Sequence, residues 1–268
     1  MLATAVSLVA LWWFTFGDDT ADTTPWGGLD RLVDGILQLP GMIIDLDAYR
    51  SWWSYMSEQE GWGEIFASTV DHAQLVLFSL TCASLIAITL GVLIYRVTTL
   101  RAPLLGFFSI MLTVPSLAMF AIFIPISFIG IGDRGPLIAL TLYSILPILR
   151  NTVTGLEEVD SAVVESAKGM GLSPVQRLLR IELPLAWPVI LTGMRVAALL
   201  NIGIAAIAVL VGGTGLGTYI DQGLNRFPAA TSVERIWTGV VFTILLALVF
   251  DLAFNLLRRL TSPKGLTK

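Results

Sequence analysis

The sequence predicts an all-α integral membrane protein, and three observations carry the prediction. Of 268 residues, 55% are hydrophobic and 13% are charged, against roughly 25% charged in soluble domains. Mean hydropathy is +0.80. The apolar residues gather into runs close to the ~20 residues that cross a bilayer, with polar segments between them. A formal net charge of −4 leaves no basic footprint for nucleic acid. A single cysteine, Cys82, rules out an internal disulfide, and no Cys/His spacing suits a metal.

The first element is Leu2–Phe16, read as an anchor span occupying 1–16. No Lys or Arg precedes the run and "WWFTFGDDT" offers no small-residue cleavage site, so a cleaved signal peptide is disfavoured. Trp12 and Trp13 suit the membrane interface. Residues 17–70 form an acidic, Trp-rich segment expected outside the cell. In it "LDRLVDGIL" spaces Leu29, Leu32, Val33 and Ile36 as a surface helix would. Its tryptophans read as interfacial anchors in preference to an aromatic cage for a cation.

The transmembrane region, 71–258, comes next, with five spans. These are Gln74–Tyr95, Leu104–Ile129 interrupted by Pro115 and Pro125, Gly135–Leu149 with Pro147 near its end, Leu185–Val211 containing Arg195, and Ile236–Leu257. Residues 259–268 form a tail. His72, the only histidine, is expected where a span meets water. Placing both termini in the cytoplasm puts Arg96, Arg101, Arg150, Lys168, Arg177, Arg180, Arg258, Arg259, Lys264 and Lys268 inside. Only Arg31, Arg50, Arg134, Arg226 and Arg235 then fall outside, as the positive-inside rule requires.

Between the third and fourth spans, 155–184 is too polar to cross and is highly organised. Asp160 and Glu165 lie early and Lys168 late in a helix expected to end near Gly169. Gly169 and Gly171 can take positive φ. Ser173-Pro174-Val175-Gln176 has a capping residue, a proline suited to the first helical position and a Gln that completes a capping box. Val175, Leu178 and Leu179 form an apolar stripe, and Pro184 is expected to end the helix. A helix so short is unstable alone, so its stripe needs a partner surface.

Glu165, Ala167, Gly171, Ile181, Leu183 and Pro184 resemble the EAA loop of ABC-importer permeases, with Ser166 as the one departure. "DHAQLVLFSL", "TVPSLAMFAIFIP", "LYSILPILRNTVTGL" and "VGGTGLGTYI" resemble the glycine betaine/carnitine/choline branch of that family. The resemblance implies a type I importer permease fold in a bacterial cytoplasmic membrane, with five core helices plus the N-terminal anchor. It implies that Glu165, Ala167, Gly171, Ser173, Val175, Leu178, Leu179, Ile181, Leu183 and Pro184 couple to a cytoplasmic ABC ATPase. The other implied partners are a second permease copy or paralogue, an extracytoplasmic substrate-binding protein and membrane lipid. The expected cargo is a quaternary-ammonium solute such as glycine betaine, choline or carnitine. The alternative within the family is an amino acid such as methionine.

The remaining features fit transport. No Walker A sequence occurs, so no cofactor is expected on this chain, and ATP and Mg belong to the partner ATPase. "GGTGLG", 212–217, fails the dinucleotide fingerprint and reads as a flexible exit from a span. Arg195 and Asp251 lie within spans. A structural role is favoured for Arg195, with Asp251 near Arg258. Thr113, Pro115, Ser116 and Asn201 mark either a substrate path or helix packing. An intramembrane enzyme would need paired carboxylates, a histidine cluster or a Ser/Lys dyad within the spans. None is evident, and no catalytic residue is expected. A receptor would not need a glycine-hinged docking loop.

Overall fold

The structure is a computed structural model that describes residues 51–261 apart from 228 and 230. The chain divides into two compact units, Met1–Tyr55 and Met56–Lys268. Of the first unit only residues 51–55 are described, and they are helical. The expected anchor span and the surface helix around Leu29–Ile36 lie outside the described residues.

The described part of the second unit is mostly helical, with no strand among the described residues. Its helices are α1 (Trp62–Ile94), α2 (Thr98–Thr113), α3 (Ser116–Phe123), α4 (Arg134–Glu157), α5 (Ser161–Gly169), α6 (Pro174–Arg177), α7 (Leu183–Ala205), α8 (Gly217–Asn225) and α9 (Ser232–Thr261). A π-turn, Leu178–Glu182, joins α6 to α7, so Pro174–Ala205 is one continuous helix of 32 residues. α1, α4, Pro174–Ala205 and α9 are each long and apolar enough to cross a membrane. α2 and α3 together form a fifth candidate span, bent by 95°.

Several boundaries differ from expectation for local reasons. α1 starts at Trp62, after Gly61 at φ 74, and so takes in the last residues of the segment expected to be external. Apolarity marks only the membrane-buried part of a helix, and "WGEIFASTVDHA" has no residue that would stop the helix reaching into water. α4 runs through Pro147 to Glu157. One turn further along the helix, Asn151 Nδ2 donates to the Pro147 carbonyl at 2.8 Å. At the α2–α3 bend, Val114 is extended as a residue before proline prefers. Its carbonyl accepts from the Tyr143 hydroxyl at 2.8 Å.

α4 is the central helix and the most buried of the long ones. Glycines let its neighbours approach. A methyl on Gly91 of α1 would lie 2.5 Å from Thr152 Cγ2, and one on Gly193 of α7 would lie 2.7 Å from the Pro147 carbonyl oxygen. On α4 itself, a methyl on Gly155 would meet the Ala186 carbonyl at 3.0 Å. Small residues bring membrane helices close because lipid tails are as apolar as leucine, leaving van der Waals contact to do the joining.

Polar cross-links fix which ends lie together. Arg96 and Tyr95 bond Glu182, and Arg101 pairs with Glu157. The C-terminal end of α1, the start of α2, the end of α4 and the polar loop therefore share one end of the bundle. At the other end, Asp133 accepts from the Thr214 amide at 2.7 Å, and the Gly132 amide donates to the Val211 carbonyl at 3.1 Å. There too His72 Nε2 lies 3.0 Å from the Ile202 carbonyl. Residues between Arg96 and Asp133 thus run from one end to the other, so the bent α2–α3 pair crosses once. Trp187 Nε1 donates to Thr261 Oγ1 at 3.0 Å, which brings the end of α9 back to the loop end. Among the described residues this arrangement gives five candidate crossings.

Three polar features sit differently from the sequence reading. His72 is fully buried and holds α1 against a carbonyl near the end of α7. The Ala206 amide turns to Ile204, which leaves the Ile202 carbonyl for the imidazole. Asp251 pairs with Arg195 at 2.5 Å, not with Arg258, and Asn255 contacts both members. The 212–217 glycines are close-packed, not flexible. A methyl on Gly217 would fall 1.9 Å from the Ala206 carbonyl, and Gly215, at φ 121, lies against His72.

Candidate functional site: the loop between α4 and α7

The loop's two turns arise from local chemistry. The Asp160 side chain accepts from the Ala162 amide at 2.8 Å and caps α5. The helix closes in a Schellman motif. The Leu172 amide donates to the Ala167 carbonyl at 3.2 Å and the Gly171 amide to the Lys168 carbonyl at 2.9 Å. That motif needs a left-handed residue four positions after the first carbonyl, and Gly171 supplies it at φ 80. The Ala-to-Gly spacing is therefore a consequence of the turn. Gly169 stays helical, contrary to the sequence reading. Ser166 returns its hydroxyl to the Ala162 carbonyl at 2.8 Å, so the departure from alanine leaves no polar group unmet.

The second turn starts at Ser173. Its hydroxyl accepts from the Gln176 amide at 3.3 Å, and the Gln176 side chain accepts from the Ser173 amide at 2.9 Å. The expected capping box is present. Pro184 does not end the helix, because the π-turn accommodates it. The Leu183 amide reaches back five residues to the Leu178 carbonyl, and the wider turn absorbs a residue that disrupts α-helical bonding.

The expected apolar stripe is divided. Val175 and Leu179 are 63% and 60% exposed, and Met170 beside them is 71% exposed. Leu178 turns the other way. With Leu183 it packs on Leu156, Ala186 and Ile190 of the bundle. Ala167 is buried, Glu165 and Pro184 are exposed, and Ile181 is half-buried. Among the described residues Glu165 forms no ion pair. The outward surface of the loop thus combines Met170, Val175 and Leu179 with a free carboxylate.

Sequence reasoning missed Glu182, the residue between Ile181 and Leu183. Its side chain is 3% exposed. It accepts from the Tyr95 hydroxyl at 2.5 Å and from Arg96 Nη2 at 2.7 and 3.0 Å. The Arg96 guanidinium also lies over the Tyr95 ring, 5.0 Å from its centre. Burial first, then the bond to Glu182, pushes the Tyr95 hydroxyl up to about 12, so it stays a proton donor near neutrality. The available signal was an acid amid apolar residues at the start of a span.

Of the four expected path residues, Thr113, Pro115 and Ser116 lie at the α2–α3 bend and Asn201 lies on α7. Asn201 is fully buried and donates to Ser79 Oγ at 3.0 Å, tying α7 to α1. Thr113 and Pro115 are exposed and Ser116 half-buried at the α2–α3 bend.

Five candidate crossings among the described residues and a capped, glycine-turned loop with an outward apolar face fit a membrane permease. Residues 83–263 match the family described as binding-protein-dependent transport system inner membrane component, and the chain belongs to that family. It is a multi-pass inner-membrane transport subunit. It is 38% identical to the choline transport system permease protein OpuBB of Bacillus subtilis, over 78% of this chain and 94% of that protein. It is likewise 38% identical to that organism's glycine betaine/carnitine/choline transport system permease protein OpuCB, over 78% of this chain and 93% of the other. The osmoprotectant import permease protein OsmW of Salmonella typhimurium is 36% identical, over 79% of this chain and 97% of its own. The inward-facing MetNI methionine ABC transporter superposes with a TM-score of 0.68 at 22% identity, covering 78% of this chain and 100% of that one. This last likeness shows the fold.

Proposed function

We propose that the chain is the permease for a small quaternary-ammonium compatible solute, of the kind exemplified by glycine betaine, choline and carnitine. The observation that carries the reading is the match to permeases named for those solutes along nearly their whole length. The likeness to the methionine transporter is at the level of fold and does not argue for an amino acid. A soluble binding protein delivers the solute, and two permease subunits enclose the path. The α2–α3 bend, with Thr113, Pro115 and Ser116, borders that path.

The loop end faces the cytoplasm and docks on an ABC ATPase. Met170, Val175 and Leu179 are apolar side chains left in water by the subunit's own fold, and they fill a groove on the ATPase. Glu165 supplies a charge-assisted hydrogen bond there, of roughly 1.5–3 kcal/mol when desolvated. ATP and Mg are bound by that subunit, and its movement on the loop opens the path.

The test is uptake by the reconstituted complex of permease, ATPase and binding protein. ATP-dependent accumulation of glycine betaine, choline or carnitine is expected, with methionine ignored. Accumulation of methionine and indifference to the quaternary-ammonium solutes would reassign the cargo.

A further inference from the structure

We propose that the elbow between α1 and α2, from Tyr95 to Arg101, is a clamp through which movement of the loop reaches the rest of the bundle. The proposal rests on the docking role given to the loop above. Both flanks of the loop are tied to this one short stretch. Glu157, at the end of α4, pairs with Arg101. Glu182, at the π-turn, is held by Arg96 and Tyr95. Between them, among the described residues of 158–181, no side-chain hydrogen bond or ion pair reaches another element, and the backbone bonds at the two ends, such as the Glu158 amide to the Thr154 carbonyl, only continue the flanking helices. Loop residues bond only to near neighbours in sequence, as Asp160 does to Ala162 and Ser173 to Gln176. A push on the exposed face at Val175 and Leu179 therefore has two polar outlets, and both end on the elbow.

The elbow is well placed to pass that push on. It terminates α1, a single helix of 33 residues whose far part carries the His72 contact to Ile202. It also opens α2, which leads to the bend at Val114–Pro115. A displacement at Glu182 thus reaches the opposite end of the bundle along α1, and the bend along α2. The π-turn contributes the aim. By inserting one extra residue into the helix it rotates α7 by about 100° relative to α6. Val175 and Leu179 then face outward while Glu182 faces the elbow. Tyr95, Arg96 and Glu182 are positioning residues in this scheme, since none touches the solute.

The experiment uses the full complex of permease, ATPase and binding protein in lipid nanodiscs. Glu182→Gln keeps the size and removes the charge. Arg96→Glu opposes it, and the exchange Arg96→Glu with Glu182→Arg restores an ion pair with reversed polarity. Each single variant should lower solute-stimulated ATP hydrolysis about tenfold, within the range of typical coupling between sites. Unstimulated hydrolysis and co-purification of the ATPase should be unchanged. The exchange variant should recover most of the stimulation. Amide hydrogen exchange over 158–181 should rise in the singles and fall back in the exchange variant. If Glu182→Gln does not assemble, Tyr95→Phe, which removes one bond only, should show a smaller loss in the same direction. Unchanged stimulation and exchange in an assembled single variant would overturn the clamp. So would a loss that merely tracks the amount of complex and is not recovered by the exchange variant. A wild-type complex that no quaternary-ammonium solute stimulates would count against the transport reading alone, because hydrogen exchange still scores the clamp without any solute.

Discussion

At the scale of single residues, Gly171 separates conformational demand from space. Its φ is 80, yet a methyl placed on it would meet nothing within 4 Å. Any penalty for a side chain there comes from the backbone angle and not from a clash. Gly171→Val forces a β-branched residue into the left-handed region, costing on the order of 1–3 kcal/mol of local strain. Gly171→Asn places a residue that visits that region routinely. We expect the valine variant to insert and accumulate normally but to lose uptake and stimulated ATP hydrolysis together. The asparagine variant should retain most of both. Equal activity of the two would mean that the Schellman turn does not set the loop's geometry. Gly193 and Gly217 are the opposite case, because their added methyls meet carbonyl oxygens at 2.7 and 1.9 Å. Substitution there acts on helix packing.

At the scale of elements, the helix Pro174–Ala205 divides its apolar residues between two surfaces, and the division is testable. Leu178→Ala removes a side chain packed on Leu156, Ala186 and Ile190. It should lower the melting temperature of the subunit, by the equivalent of about 2 kcal/mol, the lower end for leucine truncation because Leu178 is only partly buried. Val175→Ala removes a side chain that is 63% exposed. It should leave the melting temperature unchanged and weaken co-purification of the ATPase. The reverse pattern would show that the face chosen here is not the docking face. The same helix shows what a sequence discloses. Gly171, Ser173, Pro174 and Gln176 were legible because caps and turns are settled within a few residues, so spacing alone is diagnostic. The inward turn of Leu178 was not legible, because it lies at one edge of the stripe, about 100° from Leu179 on a helix, and spacing alone does not say which edge meets the bundle. Nor was the role of Glu182, whose partners Tyr95 and Arg96 lie 87 and 86 residues away. Pro184 misled for a related reason. A proline disrupts α-helical bonding, but a turn closed over five residues accommodates it. The spans themselves were legible from apolarity, while their ends, at Trp62, Glu157 and Thr261, lay beyond the reach of a hydropathy argument.

At the scale of the whole molecule, the ends of the bundle are joined by chemistry, but which end faces the cytoplasm is decided by charge. The loop end collects Arg96, Arg101, Arg150, Lys168, Arg177, Arg180, Arg258 and Arg259. The opposite end, where Asp133 bonds Thr214, has few basic residues, and Arg134, Arg226 and Arg235 are the ones nearest it in sequence. Lys and Arg near membrane helices are retained on the cytoplasmic side during insertion, so the loop end should be inside. Five candidate crossings among the described residues, with Glu182 paired to Arg96 at one end and His72 to Ile202 at the other, predict the start of α1 outside and the end of α9 inside. The two inferences are independent, and one experiment checks both. In a background lacking Cys82, Ser57→Cys should react in intact cells with a reagent that does not cross membranes. Ser173→Cys should react only after permeabilisation, since Ser173 is exposed on the loop. Reaction of both in intact cells would put both positions outside and give an even number of crossings. That would mean that the bent pair α2–α3 re-enters on the side it left, and it would remove the loop from any contact with a cytoplasmic ATPase.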